Sequence, residues 1–201
     1  MAISAKITGF ETSRLPRIDC HMFTVFKGGN SGKWRIASIS PVAGDTLATA
    51  SHLDIATAAN IPAAPNEPWQ LTGVASYVRY VERPEKMALT SVQAGLGRAE
   101  ATRAALIPIL KSATWWELTQ EERRKIFEDK SHHIADSMKY LPAIARQLYH
   151  CRDLGQPFDF LTWFEYAPEH AIDFENLVRH LRGTEEWKYV EREVDIRLER
   201  A

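Results

Sequence analysis

The stretch Ser131–Gln147, SHHIADSMKYLPAIARQ, decides how the rest of the chain is read. It opens on two histidines, keeps Ile134 and Met138 at helical spacing, breaks at Pro142 and resumes with Arg146 inside the apolar run IARQLY. Upstream, Thr119-Gln-Glu-Glu122 is a capping box. It starts a predicted helix on which Ile126, Phe127, Lys130, His133, Ile134, Ser137 and Met138 recur with the helical period. That phase puts His133 on or beside the inward face and turns His132 about 100° away, toward solvent. Pro142 disrupts the helix, and Ala143–Tyr149 reads as helical again. Thirteen steps of about 100° on one straight helix would set His133 and Arg146 on roughly opposite sides. A bend at Pro142 can fold the second segment over the first, so that an imidazole and a guanidinium address two sides of one flat object.

Each of these residues also has a plain structural reading. A histidine on an inward face is commonly a satisfied core residue. Arg146, between Ile144 and Leu148, stays protonated and so needs a carboxylate, an anionic ligand or a negative reaction centre. On the residues alone, a structural arginine paired with an internal glutamate and a functional one stand level. Six tryptophans are many for 201 residues. Trp115-Trp116, Trp163 and Trp187 suit the lining of a large flat apolar pocket, a core or a dimer interface. Glu185-Glu186 before Trp187 reads as a solvated helix end or as a partner for a histidine nitrogen.

Around this stretch the elements alternate. MFTVFK (Met22–Lys27) and Trp34–Val42 read as strands, with GGNSG (Gly28–Gly32) as a hairpin turn. The glycines do not make a phosphate loop: Gly28 to Gly32-Lys33 is one residue short of GxxxxGK, and Trp34 stands where Ser or Thr would hold magnesium. Gly44–Ile61 reads as weakly helical, Ala63–Pro68 as a loop, Trp69–Glu82 as a long strand, and Pro84–Leu96 is ambiguous. ALIPIL (Ala105–Leu110) is a buried or edge strand because of its proline. Asp159–Tyr166 is a strand, Pro168 opens a helix that Gly183 closes, and Trp187–Arg200 is the last strand. Strands separated by helices point to an α+β or α/β fold.

Bulk properties narrow the function. With 201 residues and 45% apolar content, the chain can bury one large core or two small ones. A net charge of −1 with both signs interspersed argues against nucleic acid or an anionic membrane as partner. Cys20 and Cys151 form no CxxC pair, as a reducing compartment permits. No run is apolar enough for a signal-peptide core or a membrane span, so a soluble cytoplasmic protein is expected, with residues 1–21 a loosely attached extension. HExxH and GxSxG are absent, which disfavours a zinc hydrolase or a serine hydrolase. His132, His150, His170 and His180 have no defensible partner spacing.

The segments KSHHIADSMKYLPAIARQLYHCRDLGQPFDFLTWFEYAPE (Lys130–Glu169), Trp115-Trp116 before it and TEEWKYVEREVDIRLER after it resemble the chlorite dismutase family, in particular its short, dimeric bacterial branch. FKGGNSG, RYVER, SVQAGLGR and ALIPI extend the resemblance over essentially everything from Phe23 on. It implies an α+β fold of two ferredoxin-like domains with antiparallel sheets and a barrel-like core: a shortened one over 22–112 and a haem-binding one over 113–201. It implies haem b, with His133 as proximal iron ligand and Glu186 (or Glu185) bonded to its other nitrogen. Arg146 would be the distal arginine, with Gln93 able to hold its pose. Leu148, Thr162 and Phe164 would be distal-pocket residues, Trp115 and Trp116 would stand near the haem, and Lys111 near a propionate. The implied reaction is chlorite to chloride and dioxygen by a homodimer. The chain lacks the length and signal peptide of respiratory members, and Ile134 stands where many relatives have threonine. Coproheme decarboxylation is disfavoured by Arg146, where those proteins carry a neutral residue; a haem sensor would need His133 alone.

Overall fold

The computed structural model describes residues 22–61, 67–75 and 80–201; the expected extension 1–21 lies outside them. Eight strands close into one antiparallel barrel: β1 (Phe23–Gly29), β2 (Trp34–Ala43), β3 (His52–Ala58), β4 (Trp69–Ala75), β5 (Arg103–Lys111), β6 (Ala145–His150), β7 (Phe160–Tyr166) and β8 (Val190–Arg200). Their order around the barrel is β1-β3-β2-β8-β5-β7-β6-β4. Each set of four therefore occupies a contiguous arc with its strands in the order fourth, first, third, second. In the second arc the helices fall between β5 and β6 and between β7 and β8, the βαββαβ sequence of a ferredoxin-like unit.

Alternation along the strands explains the two cores. On β5, Ala104 and Leu106 point into the barrel, where they meet Phe26, Trp34, Trp163 and Ile196. Ala105, Ile107 and Ile109 point outward and pack with Phe174, Leu177, Val178 and Leu181 of helix α5 (Ala171–Arg182). Buried on both faces, β5 reads as an unbroken apolar run. Pro108, which has no N–H to give, sits where the ladder to β8 skips from Leu106 to Ile109.

Several expected elements come out differently. Ala143–Tyr149 is not helical: β6 runs over Ala145–His150 and pairs residue for residue with β7, so cross-strand pairing overrides the helix propensity of Ala, Arg, Gln and Leu. Pro142 thus ends one element before a strand and kinks no helix. Gly44–Ile61 holds strand β3 instead of a helix, because the span His52–Ala58 fits between β1 and β2. GGNSG joins β1 to β2 but forms no hairpin; β1 pairs with β3 and β4, and a local turn signal marks a reversal without naming the partner. After α2 (Ala113–Glu117), the helix expected from Thr119 to Met138 is in three pieces: α3 (Gln120–Arg124), a π-helical turn (Lys125–Lys130) and α4 (His133–Met138). Of the expected strand Trp69–Glu82, the described part ends at Ala75, 76–79 lie outside the described residues, and helix α1 begins at Arg83 and runs to Val92. The last strand starts at Val190, since Glu185–Tyr189 form a 3-10 turn.

Candidate functional site

The site lies outside the barrel interior, between the outward face of β5, β6 and β7 and the helices that cover it. It begins at the break before α4. The π turn adds a residue to the helical spiral, an arrangement often met at functional sites. It brings the buried Glu128 carboxylate under the next helix, where it accepts the N–H of Ile134 at 2.7 Å and of Ala135 at 3.2 Å. An anion there satisfies backbone donors that α4 cannot satisfy itself. His132, at φ 48°, takes up the left-handed reversal and is exposed, and His133 becomes the first residue of the new helix. The inward phase expected of His133 is met through this break, not through a continuous helix.

Three elements converge on His133. Its Nδ1 lies 2.8 Å from Glu186 Oε2, in the 3-10 turn before β8. The other oxygen, Oε1, accepts from Lys111 Nζ at 2.8 Å, at the end of β5, and the Glu186 N–H donates to Ser131 Oγ at 3.0 Å. Glu186 and Lys111 are each 5% exposed. Burial pushes the Glu186 carboxyl up, but the Lys111 and His133 charges and hydrogen bonds outweigh it and bring it down to about 2. An ionised carboxylate can only accept, so Nδ1 carries a proton, and a neutral imidazole held this way presents its lone pair at Nε2. Glu185, by contrast, pairs with Lys188 at the surface.

The opposite wall comes from β6 and β7. Arg146 pairs with Phe164 and Leu148 with Thr162, and the two-residue period puts all four on one face. Arg146 forms no salt bridge among the described residues, and its Nε is buried without a hydrogen-bond partner. Burial pushes its pKa down, yet a guanidinium remains charged at neutral pH.

Both walls face one cavity, which encloses about 940 Å³ of empty space, part of it open to solvent. Eight expected site residues line it: Lys111, Trp115, His133, Arg146, Leu148, Thr162, Phe164 and Glu186. Two do not. Trp116 stacks behind the wall residue Phe160, its ring centroid 5.9 Å away, and gives its indole N–H to Asp159 at 3.1 Å. Gln93 reaches Arg146 through the backbone: its Nε2 donates to the Arg146 carbonyl at 2.8 Å. The remaining wall is mostly apolar, with Ile107, Ile109 and Phe160 from the sheet. Three buried polar groups on the wall have no partner among the described residues: Trp115 Nε1, Arg146 Nε and the Tyr80 hydroxyl. Orphans gathered on one cavity mark where a polar ligand edge would fit.

Sequence reasoning missed Tyr80, Phe127, Glu128 and Ser131. Phe127 stacks on His133 with ring centroids 4.3 Å apart. Tyr80 falls in an expected strand but sits at φ 59°, with its ring against Trp115 and Phe127. Only Ser131, two residues before the histidine, had a signal to offer, as a hydroxyl next to a candidate ligand.

A family model, "Chlorite dismutase", matches residues 56–199. A curated chlorite dismutase from Ideonella dechloratans is 34% identical over 121 residues; the match covers 59% of this chain and only 40% of that relative's length. A crystal structure of a dimeric chlorite dismutase from Nitrobacter winogradskyi is 74% identical, covers 89% of this chain and 99% of its own, and superposes with a TM-score of 0.82. The chlorite dismutase of Candidatus Nitrospira defluvii, solved in complex with imidazole, is 20% identical with a TM-score of 0.66 over 91% of this chain and 92% of its own; it shares the fold. By sequence, barrel and cavity together, this chain belongs to the chlorite dismutase family.

Proposed function

We propose that the chain is a haem b enzyme that converts chlorite to chloride and dioxygen. The observation that carries the reading is one apolar cavity with a carboxylate-backed imidazole on one wall and an unpaired guanidinium on the other. The fit to haem rests on the donor set. Among the described residues no three His, Cys, Asp or Glu side chains gather to cage a metal, so iron would take His133 from the protein and the rest of its coordination from a chelating macrocycle. Trp115 Nε1 and the Tyr80 hydroxyl are free for a polar edge of that group. Haem held there by His133 would supply the redox chemistry that exchanges the two Cl–O bonds of chlorite for the O–O bond of dioxygen and releases chloride.

The chain's own residues do the rest. Glu186 accepts a hydrogen bond from the Nδ1–H and makes the His133 imidazole a stronger donor, and Lys111 keeps Glu186 ionised. Arg146 attracts the chlorite anion and holds negatively charged chlorine oxides inside a wall of low polarity, where its charge acts strongly. Arg146 serves as an electrostatic clamp and moves no proton. We extend the proposal to a cytoplasmic homodimer: the 74% identical relative is dimeric, no helix among the described residues is long and apolar enough to cross a membrane, and Cys151 is a free buried thiol.

The test is a haem titration followed by visible spectroscopy, then chlorite addition with an oxygen electrode. Wild type should take up haem and release dioxygen. His133→Ala should lose stable haem binding, and Arg146→Ala should keep haem but bleach sooner during turnover. No dioxygen from haem-loaded wild type overturns the reading.

A further inference from the structure

The guanidinium of Arg146 has no salt bridge among the described residues to fix it, so its position depends on the backbone that carries it. That backbone is held by the strap that follows α1, residues 93–98. Three hydrogen bonds tie the strap down within a few residues of Arg146. Gln93 Nε2 donates to the Arg146 carbonyl at 2.8 Å. Arg98 Nη2 donates to the Ala143 carbonyl at 2.8 Å. The Gly97 N–H donates to Glu165 Oε2 at 2.5 Å, and Glu165 stands opposite Ala145 in the β6–β7 ladder.

Glu165 is the unusual member. It is 6% exposed, forms no salt bridge among the described residues, and its second oxygen accepts the Trp163 indole N–H at 2.9 Å. A buried carboxylate held by two neutral donors is an expensive group to keep, and here it locks the strap onto β7. Gly97 bends the strap to reach it, at φ +81°. The far side of the strap is fixed as well: the Arg98 carbonyl accepts from Ala101 N–H and from Arg200 Nη2, both at 3.2 Å. Loosening the strap at Arg98 therefore acts first on residues 143–146, which it reaches through the Ala143 carbonyl.

We infer that the strap 93–98, locked by Glu165 and Arg98, sets where the Arg146 guanidinium stands, so that Glu165 and Arg98 are positioning residues for the anion clamp. The inference rests on the proposed role of Arg146. In haem-loaded protein, Arg98→Ala and Glu165→Gln bind cyanide about tenfold more weakly than wild type, a loss in keeping with misplacement of a charged group. Their affinity for imidazole, a neutral ligand of the same iron, stays at the wild-type value. Arg98→Lys, which keeps a cation and a donor, returns cyanide affinity toward wild type. Amide hydrogen exchange, which needs no haem, rises in residues 143–146 of Arg98→Ala while that of β8 is unchanged. Wild-type cyanide affinity in both variants overturns the inference, as does equal weakening of cyanide and imidazole. If wild type takes up no haem, the haem reading fails instead, and exchange alone judges the strap: unchanged rates at 143–146 overturn it. Should Arg98→Ala not fold, the isosteric Glu165→Gln carries the same measurements.

Discussion

Glu186 has a cation on one oxygen and an imidazole on the other, and its side chain is almost fully buried. Lys111, 5% exposed, has no carboxylate other than Glu186 within ion-pair distance among the described residues. Replacing Glu186 by Gln therefore strands a buried ammonium, and breaking a buried pair in this way costs about 3 kcal/mol. The double variant Glu186→Gln/Lys111→Met removes the stranded charge as well and should recover part of that loss. Urea unfolding of the four proteins in the cycle measures it; a double variant no more stable than Glu186→Gln would show that Lys111 does not depend on this carboxylate. The folded carboxyl titrates near 2, below its ordinary 4.5, so its stabilisation is complete above about pH 4.5 and fades as pH falls toward 2. Helical phase only suggested His133 over His132, and the inward place of His133 comes from the break before α4, not from the continuous helix which that phase assumed. Phase could not supply Glu128, whose carboxylate reaches six residues forward to cap α4, because that contact exists only once the π turn has formed. Nor could the residues alone choose between Glu185 and Glu186; the 3-10 turn that aims one inward and the other at Lys188 is set by packing.

At the scale of elements, the legible ones were those whose local signals agree with their partners. The Thr119–Glu122 capping box forms as expected, with bonds of 2.7 and 3.2 Å. Gly183 caps α5, and β5, β7 and β8 fall close to their expected bounds. The failures, β3 and β6, are strands written in helix-tolerant residues, and only their neighbours make them strands. The ambiguous Pro84–Leu96 became α1 through Glu85, which accepts the Glu82 N–H at 2.7 Å and pairs with both terminal nitrogens of Arg124 at 2.8 and 2.7 Å. This clasp ties α1 to the helices that lead to His133. The Arg124 hydrogen bond, against a small burial cost, holds the Glu85 carboxyl below its ordinary 4.5. A depressed carboxyl stabilises above its unfolded pKa and stops doing so as pH falls through the folded one. Amide exchange across Arg83–Val92, corrected for the intrinsic rate, should therefore accelerate below about pH 4.5. The effect should shrink in high salt, because the pair is partly exposed. In Glu85→Gln the exchange should be fast already at pH 7; slow exchange there would assign the anchoring of α1 to its apolar contacts.

At the scale of the molecule, the two arcs of the barrel are joined by long β2–β8 pairing on one side and by a β4–β6 contact of only two described register pairs on the other. Which strands meet at those seams is a matter of residues far apart in sequence, Val74 with His150 at one and Trp34 with Arg200 at the other, so neither periodicity nor turn chemistry can reveal it. The resemblance to a known family carried the barrel-like expectation, and the residues alone carried only the succession of strands and helices. The seams nevertheless enclose a single interior. Phe26 and Trp34 from the first arc contact Trp163 of the second at ring-centroid distances of 5.9 and 5.3 Å. Leu106, fully buried, belongs to the same cluster. An interior shared in this way makes the arcs mutually dependent: neither can open without exposing aromatic surface of the other. Leu106→Ala should then destabilise the protein by about 2–5 kcal/mol, the usual cost of a leucine-sized cavity in a packed core. More tellingly, it should move a single transition. Tryptophan fluorescence and far-ultraviolet circular dichroism should share one denaturant midpoint in wild type and one lowered midpoint in the variant. Two separated midpoints, with only one displaced by the substitution, would mean that the arcs fold as independent units and that the seams add little to either.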